Sequence, residues 1–139
     1  MPTLTYKTTG NKRMIRYRNE LQKSLYQQYA DIGNKIAQYS ENKKNLTLSL
    51  QYGWKLITKN GIWKLSLGQE CILAIEGLSS AFNNFEFFSQ IVSQLSALYL
   101  ISKYSSDKNK NLYLSRLTKG EVSVDIFPEG ISFGKILPL

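Results

Sequence analysis

The sequence predicts an α+β fold: an N-terminal helix, a three-stranded antiparallel meander, a central long or broken helix, and a second three-stranded antiparallel meander. Three observations predict it. Apolar residues recur every three or four positions between Met14 and Tyr39, and apolar and polar residues alternate from Leu46 onward. Two Gly-containing pairs, Asn60-Gly61 and Lys119-Gly120, each separate runs that alternate in the same way. With 139 residues and 42% hydrophobic content, the chain has the size and composition for one core. Residues 1–139 are therefore expected to form a single α+β domain, with residues 1–12 as a flexible basic arm.

The first helix is justified by Met14, Tyr17, Leu21, Leu25, Tyr29, Ile32, Ile36 and Tyr39, which fall on one face. Tyrosine on such a face suits a partly wet seam, because the ring packs while the hydroxyl stays hydrated. "SENKKN" (40–45) ends it. In the strand that follows, Leu46, Leu48 and Leu50 point one way and Thr47, Ser49 and Gln51 the other.

"WKLITKNGIWKLSLG" (54–68) repeats Trp-Lys-Leu around Asn60-Gly61. A two-residue type I′ turn there pairs Thr58 with Trp63 and Leu56 with Leu65. Trp54, Leu56, Trp63 and Leu65 then share an inner face, while Lys55, Ile57, Lys59, Ile62 and Lys64 share the outer one. The repeat is explained as a hairpin folded on itself, with its lysines forming a basic stripe.

"GQECILAIEGLSS" (68–80) fits either a strand or a helix through Cys71, Ala74, Ile75, Leu78 and Phe82, and the helix is favoured. Asn83, with Glu86 three residues later, marks the start of a further helix running to about Tyr104. Phe85, Phe88, Ile91, Val92, Leu95, Leu98 and Tyr99 are expected to point inward. No charge occurs between Phe87 and Ser102, so this helix should be covered by the sheet or by another subunit. Residues 105–111 read as a polar loop. "LYLSRL", "EVSVDIF" and "ISFGKI" read as the last three strands, with Arg116 in a cross-strand ion pair with Glu121 and Asp125.

Composition excludes much chemistry. The chain has no histidine, which removes the commonest general base, the Ser-His and Cys-His nucleophile pairs and imidazole zinc sites. A single cysteine, Cys71, makes no internal disulfide and no thiolate zinc site, and in its apolar run it is expected to be buried and inert. Neither a phosphate-binding glycine loop nor an EF-hand pattern occurs. A non-enzymatic protein without cofactor or metal is expected. "MPTLTYKTTGNKR" is too polar for a secretory signal, and "FFSQIVSQLSALYLI" (87–101) is too short to span a bilayer. No membrane span and a cytoplasmic location follow as expectations.

Charge points to a partner. Residues 1–64 hold twelve Lys and Arg against three acids, a net of +9, whereas residues 65–139 hold six against seven, a net of −1. A basic half on a near-neutral remainder suggests an anionic partner. Lys12, Arg13, Arg16 and Arg18 surround Tyr17 where the first helix begins. Cations there oppose the helix macrodipole, so a favourable partner must supply the reason for them, and phosphates do so. The expected function is weak, salt-sensitive nucleic-acid binding with little base readout, carried by Lys12, Arg13, Arg16, Tyr17, Arg18, Lys55, Lys59 and Lys64. The alternative is a protein-interaction or assembly subunit, of a ribonucleoprotein or of a homo-oligomer, using the tyrosine-lined first helix and the uncharged central helix.

Overall fold

Residues 46–67, expected as a three-stranded meander, are helical over most of their length in a computed structural model that describes residues 20–127 and 130–135, and the side chains of residues 20–121. The described elements are α1 (Glu20–Lys43), α2 (Leu46–Lys59), a 3-10 turn (Ile62–Lys64), α3 (Gln69–Ala81), α4 (Phe85–Tyr104), α5 (Asp107–Thr118), β1 (Val122–Phe127) and β2 (Gly130–Lys135). The α+β arrangement of two three-stranded meanders is thereby overturned. "LYLSRL", expected as a strand of the second meander, lies in α5. Among the described residues, strand pairing is confined to β1 and β2, antiparallel with Val124 opposite Phe133.

The error at α2 has a physical cause. Three alternating leucines satisfy a period of two, but the segment also satisfies a helical period. Ser49, Gly53 and Ile57, one turn apart, are buried, and Trp54 joins them. Ser49, assigned outward in a strand, is fully buried and donates its hydroxyl hydrogen bond to the Asn45 carbonyl at 2.8 Å. Leu46 and Leu48, assigned inward, are 51% and 43% exposed. Asn45 starts the helix by accepting a hydrogen bond from the Leu48 N–H at 3.1 Å.

Asn60-Gly61 ends that helix instead of turning a hairpin. The Asn60 N–H donates to the Leu56 carbonyl and the Gly61 N–H to the Thr58 carbonyl, both at 3.1 Å, and Gly61 has φ +84°. A left-handed glycine closes helices as well as hairpins, so the dipeptide carries both meanings. The repeated tryptophans do meet: the Trp54 and Trp63 rings lie 4.7 Å apart at 44°. Ile57 and Ile62, expected on the outer face, are completely buried.

α1 packs along α3 and against α2. The first contact is close enough to require glycine on both sides. A Cβ on Gly33 would lie 2.6 Å from the Leu78 carbonyl oxygen, and one on Gly77 would overlap the Tyr26 carbonyl oxygen. The tyrosine face of α1 is satisfied internally. Tyr29 is fully buried and donates to the Asn60 carbonyl at 3.2 Å, and Tyr39 stacks on Tyr52 of α2 with centroids 4.2 Å apart. Tyr17 lies outside the described residues, as do residues 1–12.

α3 is the helix its apolar spacing favoured, with Cys71, Ala74 and Leu78 in the core. α4 runs to Tyr104, but its cap is Asn84, whose side chain accepts from the Phe87 N–H at 2.8 Å. The inward face is correspondingly Phe87, Ile91 and Leu95, while Phe85, Val92 and Tyr99, expected inward, are 88%, 50% and 39% exposed. Ser106 caps α5, and Leu117 packs on Ala97 and Ile101 of α4. β1 lies against α4. Among the described residues, no helix is long and apolar enough to cross a membrane.

Candidate nucleic-acid interface

Two helices end at the same place. Trp54 of α2 donates its indole N–H to the Gly120 carbonyl just beyond α5, at 3.0 Å, in a buried hydrogen bond. Gly120 sits against Thr58, whose hydroxyl oxygen accepts from the Trp63 indole N–H at 2.7 Å. The C-terminal ends of α2 and α5 and the 3-10 turn are thus pinned together by tryptophan donors.

That convergence gathers cations. Lys59 is the last residue of α2, Lys64 the last of the 3-10 turn, and Lys119 the C-cap of α5. They line one open groove of about 620 Å³ together with Thr58, Gly61, Leu114, Ser115 and Thr118, with no acidic residue among them. All three lysines are exposed, and none pairs with a carboxylate among the described residues. Arg116, expected in a cross-strand pair, pairs with Glu121 at 3.7 Å across the end of α5, so that this carboxylate is engaged away from the groove lysines.

Lysine at a helix C-terminus also has a purely structural use, since it complements the macrodipole. Each helix end carries roughly −0.5 of an elementary charge. Two ends therefore offset about one lysine of the three, and a positive excess remains in the groove.

The structure brings Lys59 and Lys64 together as the basic stripe implied, although on a helix end and a 3-10 turn. Lys55 is exposed one turn earlier on α2 and does not line the groove. Lys12, Arg13, Arg16, Tyr17 and Arg18 lie outside the described residues. Lys119 was missed because Lys119-Gly120 reads as a hairpin turn. The same pair after a helical stretch is equally a C-cap signal, and Gly120 has φ +67°.

An apolar cleft of about 260 Å³ adjoins the groove and shares Leu114 and Thr118 with it. Its other walls include Trp63, Leu65, Leu95, Leu98 and Tyr99. Tyr99 is 39% exposed and accepts a hydrogen bond from the Lys103 ammonium at 2.8 Å.

Elsewhere, polar chemistry is structural. Burial, and secondarily Glu70, pushes the Cys71 thiol up, and its S–H points to the Ser66 carbonyl at 3.3 Å. Hydrogen bonds from the Ser66 hydroxyl and backbone N–H hold the Glu70 carboxyl below its ordinary range, where it fastens the start of α3. Among the described residues, no three His, Cys, Asp or Glu side chains are grouped to hold a metal ion. No family model, no curated protein and no solved structure matches the chain.

Proposed function

We propose that the protein is a non-enzymatic nucleic-acid binder that grips phosphates in the groove where α2 and α5 end. The observation that carries this reading is the set of three lysines, Lys59, Lys64 and Lys119, without a carboxylate partner among the described residues and converging on one groove whose lining holds no acid. Phosphate recognition needs cations and hydrogen-bond donors in a concave surface, and the exposed Ser115 hydroxyl adds a donor to the ammonium groups. Lys12, Arg13, Arg16 and Arg18 add four further cations close in sequence to α1, and Lys55 adds one on α2, one turn before Lys59. Affinity from such contacts is electrostatic and largely blind to sequence.

The test is fluorescence anisotropy of the full chain with labelled single- and double-stranded oligonucleotides over a salt series. Binding that weakens steeply between about 50 and 200 mM salt is expected. No binding at low salt, or binding indifferent to salt, removes the reading.

One observation favours a second reading, an assembly subunit. Phe85, Val92 and Leu100 of α4 remain 88%, 50% and 37% exposed on a surface with little charge, which suits a partner with an apolar face. The tyrosine face of α1 offers no support for it, since Tyr29 and Tyr39 pack internally. Sedimentation at tens of micromolar separates the two: a monomer counts against assembly with itself.

A further inference from the structure

We infer that the nucleic acid is single-stranded, with one unstacked base seated in the apolar cleft against the Tyr99 ring and its flanking phosphates on lysines at the two ends of that cleft. The inference rests on the phosphate reading above and specifies its ligand.

The order of groups along the cleft supports it. α4 and α5 are antiparallel about Ser105 and Ser106, since Gln94 donates to the Leu117 carbonyl at 3.1 Å and Leu117 packs on Ala97 and Ile101. Tyr99 and Ser102 therefore lie toward the α4–α5 turn, and Leu95 and Thr118 lie away from it. Beyond Thr118 begins the groove of Lys59, Lys64 and Lys119. At the turn end stands Lys103, bonded to the Tyr99 hydroxyl and 5.2 Å from the centre of its ring. The sequence of chemistry is cation, aromatic and aliphatic wall, then cations. A strand whose base leaves the stack presents phosphate, apolar base, phosphate in that order.

Size and shape narrow the ligand. At about 260 Å³ the cleft is smaller than the ~300–1,000 Å³ typical of drug-sized ligands, which leaves room for one flat heterocycle. A duplex keeps its bases stacked face to face and cannot offer one to Tyr99. A fatty acid or lysolipid has one anionic head and gives no use to a cation at both ends.

The experiment uses the full chain with three fluorescein-labelled probes at one low salt concentration: oligothymidylate, a hairpin duplex, and an abasic strand of the same length. The expected result is binding of oligothymidylate roughly tenfold or more tighter than the duplex or the abasic strand. Tyr99→Leu keeps an apolar wall but removes the ring, and should lose about tenfold for oligothymidylate and clearly less for the abasic strand, whose loss is limited to the release of Lys103 from the Tyr99 hydroxyl. Circular dichroism confirms that the variant is folded. Equal affinity for all three probes, or no effect of Tyr99→Leu on the folded protein, overturns the base-in-cleft inference while salt-dependent binding keeps the phosphate reading. Absence of binding to every probe overturns both. Capture of oleate by a protein that ignores oligothymidylate overturns both in favour of an amphipathic anion.

Discussion

The contact between α1 and α3 and the junction between α2 and α5 are both places where helices meet, and they are built on opposite principles. The first is closed: Gly33 and Gly77 let backbones approach so nearly that no side chain fits between them, and Tyr29 seals one side with its hydroxyl bonded. The second is pinned by the Trp54–Gly120 hydrogen bond and opens into a groove among exposed lysines. Closed contacts carry stability through dispersion and area removed from water. Exposed lysines contribute little, so stability does not account for their convergence.

The largest expected effect lies in the closed contact. Gly77→Val drives a branched side chain into the Tyr26 carbonyl region and should cost about 3 kcal/mol, read as a lowered urea midpoint. A midpoint near the wild type's shows that the α1–α3 contact tolerates a side chain at position 77. Next comes the pin. Trp54→Phe keeps most of the ring but leaves the Gly120 carbonyl without its donor, at a cost of about 2 kcal/mol. If the pin also shapes the groove, this variant loses oligonucleotide affinity with every lysine intact; unchanged affinity separates the groove from the pin.

Tyr29→Phe removes one hydrogen bond to Asn60 and should cost about 1 kcal/mol at neutral pH. It also changes the alkaline limb of stability. Burial first, and Cys71 second, push the Tyr29 phenol up to about 12, against about 10 when unfolded. The folded chain keeps a proton that the unfolded chain releases. The contribution is therefore full below pH ~10 and is lost as the pH rises through about 12. Denaturant midpoints at pH 9 and pH 11 should converge between wild type and the Phe variant; a gap that stays constant contradicts this. Smallest is Lys119→Ala, expected to move stability by under about 0.5 kcal/mol because the side chain is exposed. A loss of about 2 kcal/mol in thermal melts would give that lysine a structural role.

The sequence made α1, α3 and α4 legible as helices and obscured α2 and α5. In α1, α3 and α4, of 24, 13 and 20 residues, apolar positions recur three or four apart without a run in which leucines alternate with polar residues. α2 and α5, of 14 and 12 residues, place leucines two apart near one end, and that local alternation conceals the helical stripe through Ser49, Gly53 and Ile57. Their true signals were the caps Asn45 and Ser106, which bond backbone N–H groups three residues on. The candidate groove was half legible for a related reason. Lys55 and Lys59 are four apart, which gives one side of a strand and one side of a helix alike, but of the three stripe lysines Lys59 and Lys64 line the groove and Lys55 does not. Lys119 is brought to Lys59 by the Trp54–Gly120 bond across 66 positions, a tertiary contact that no local pattern announces.

The role of the groove is decided by the dependence of oligothymidylate affinity on salt, measured for the wild type and for a folded variant carrying Lys59→Ala, Lys64→Ala and Lys119→Ala together. If these three lysines neutralise phosphates, the plot of log affinity against log salt is shallower in the variant by about 2, the share of three single-strand contacts. Parallel plots with equal affinities would mean that the groove touches no phosphate.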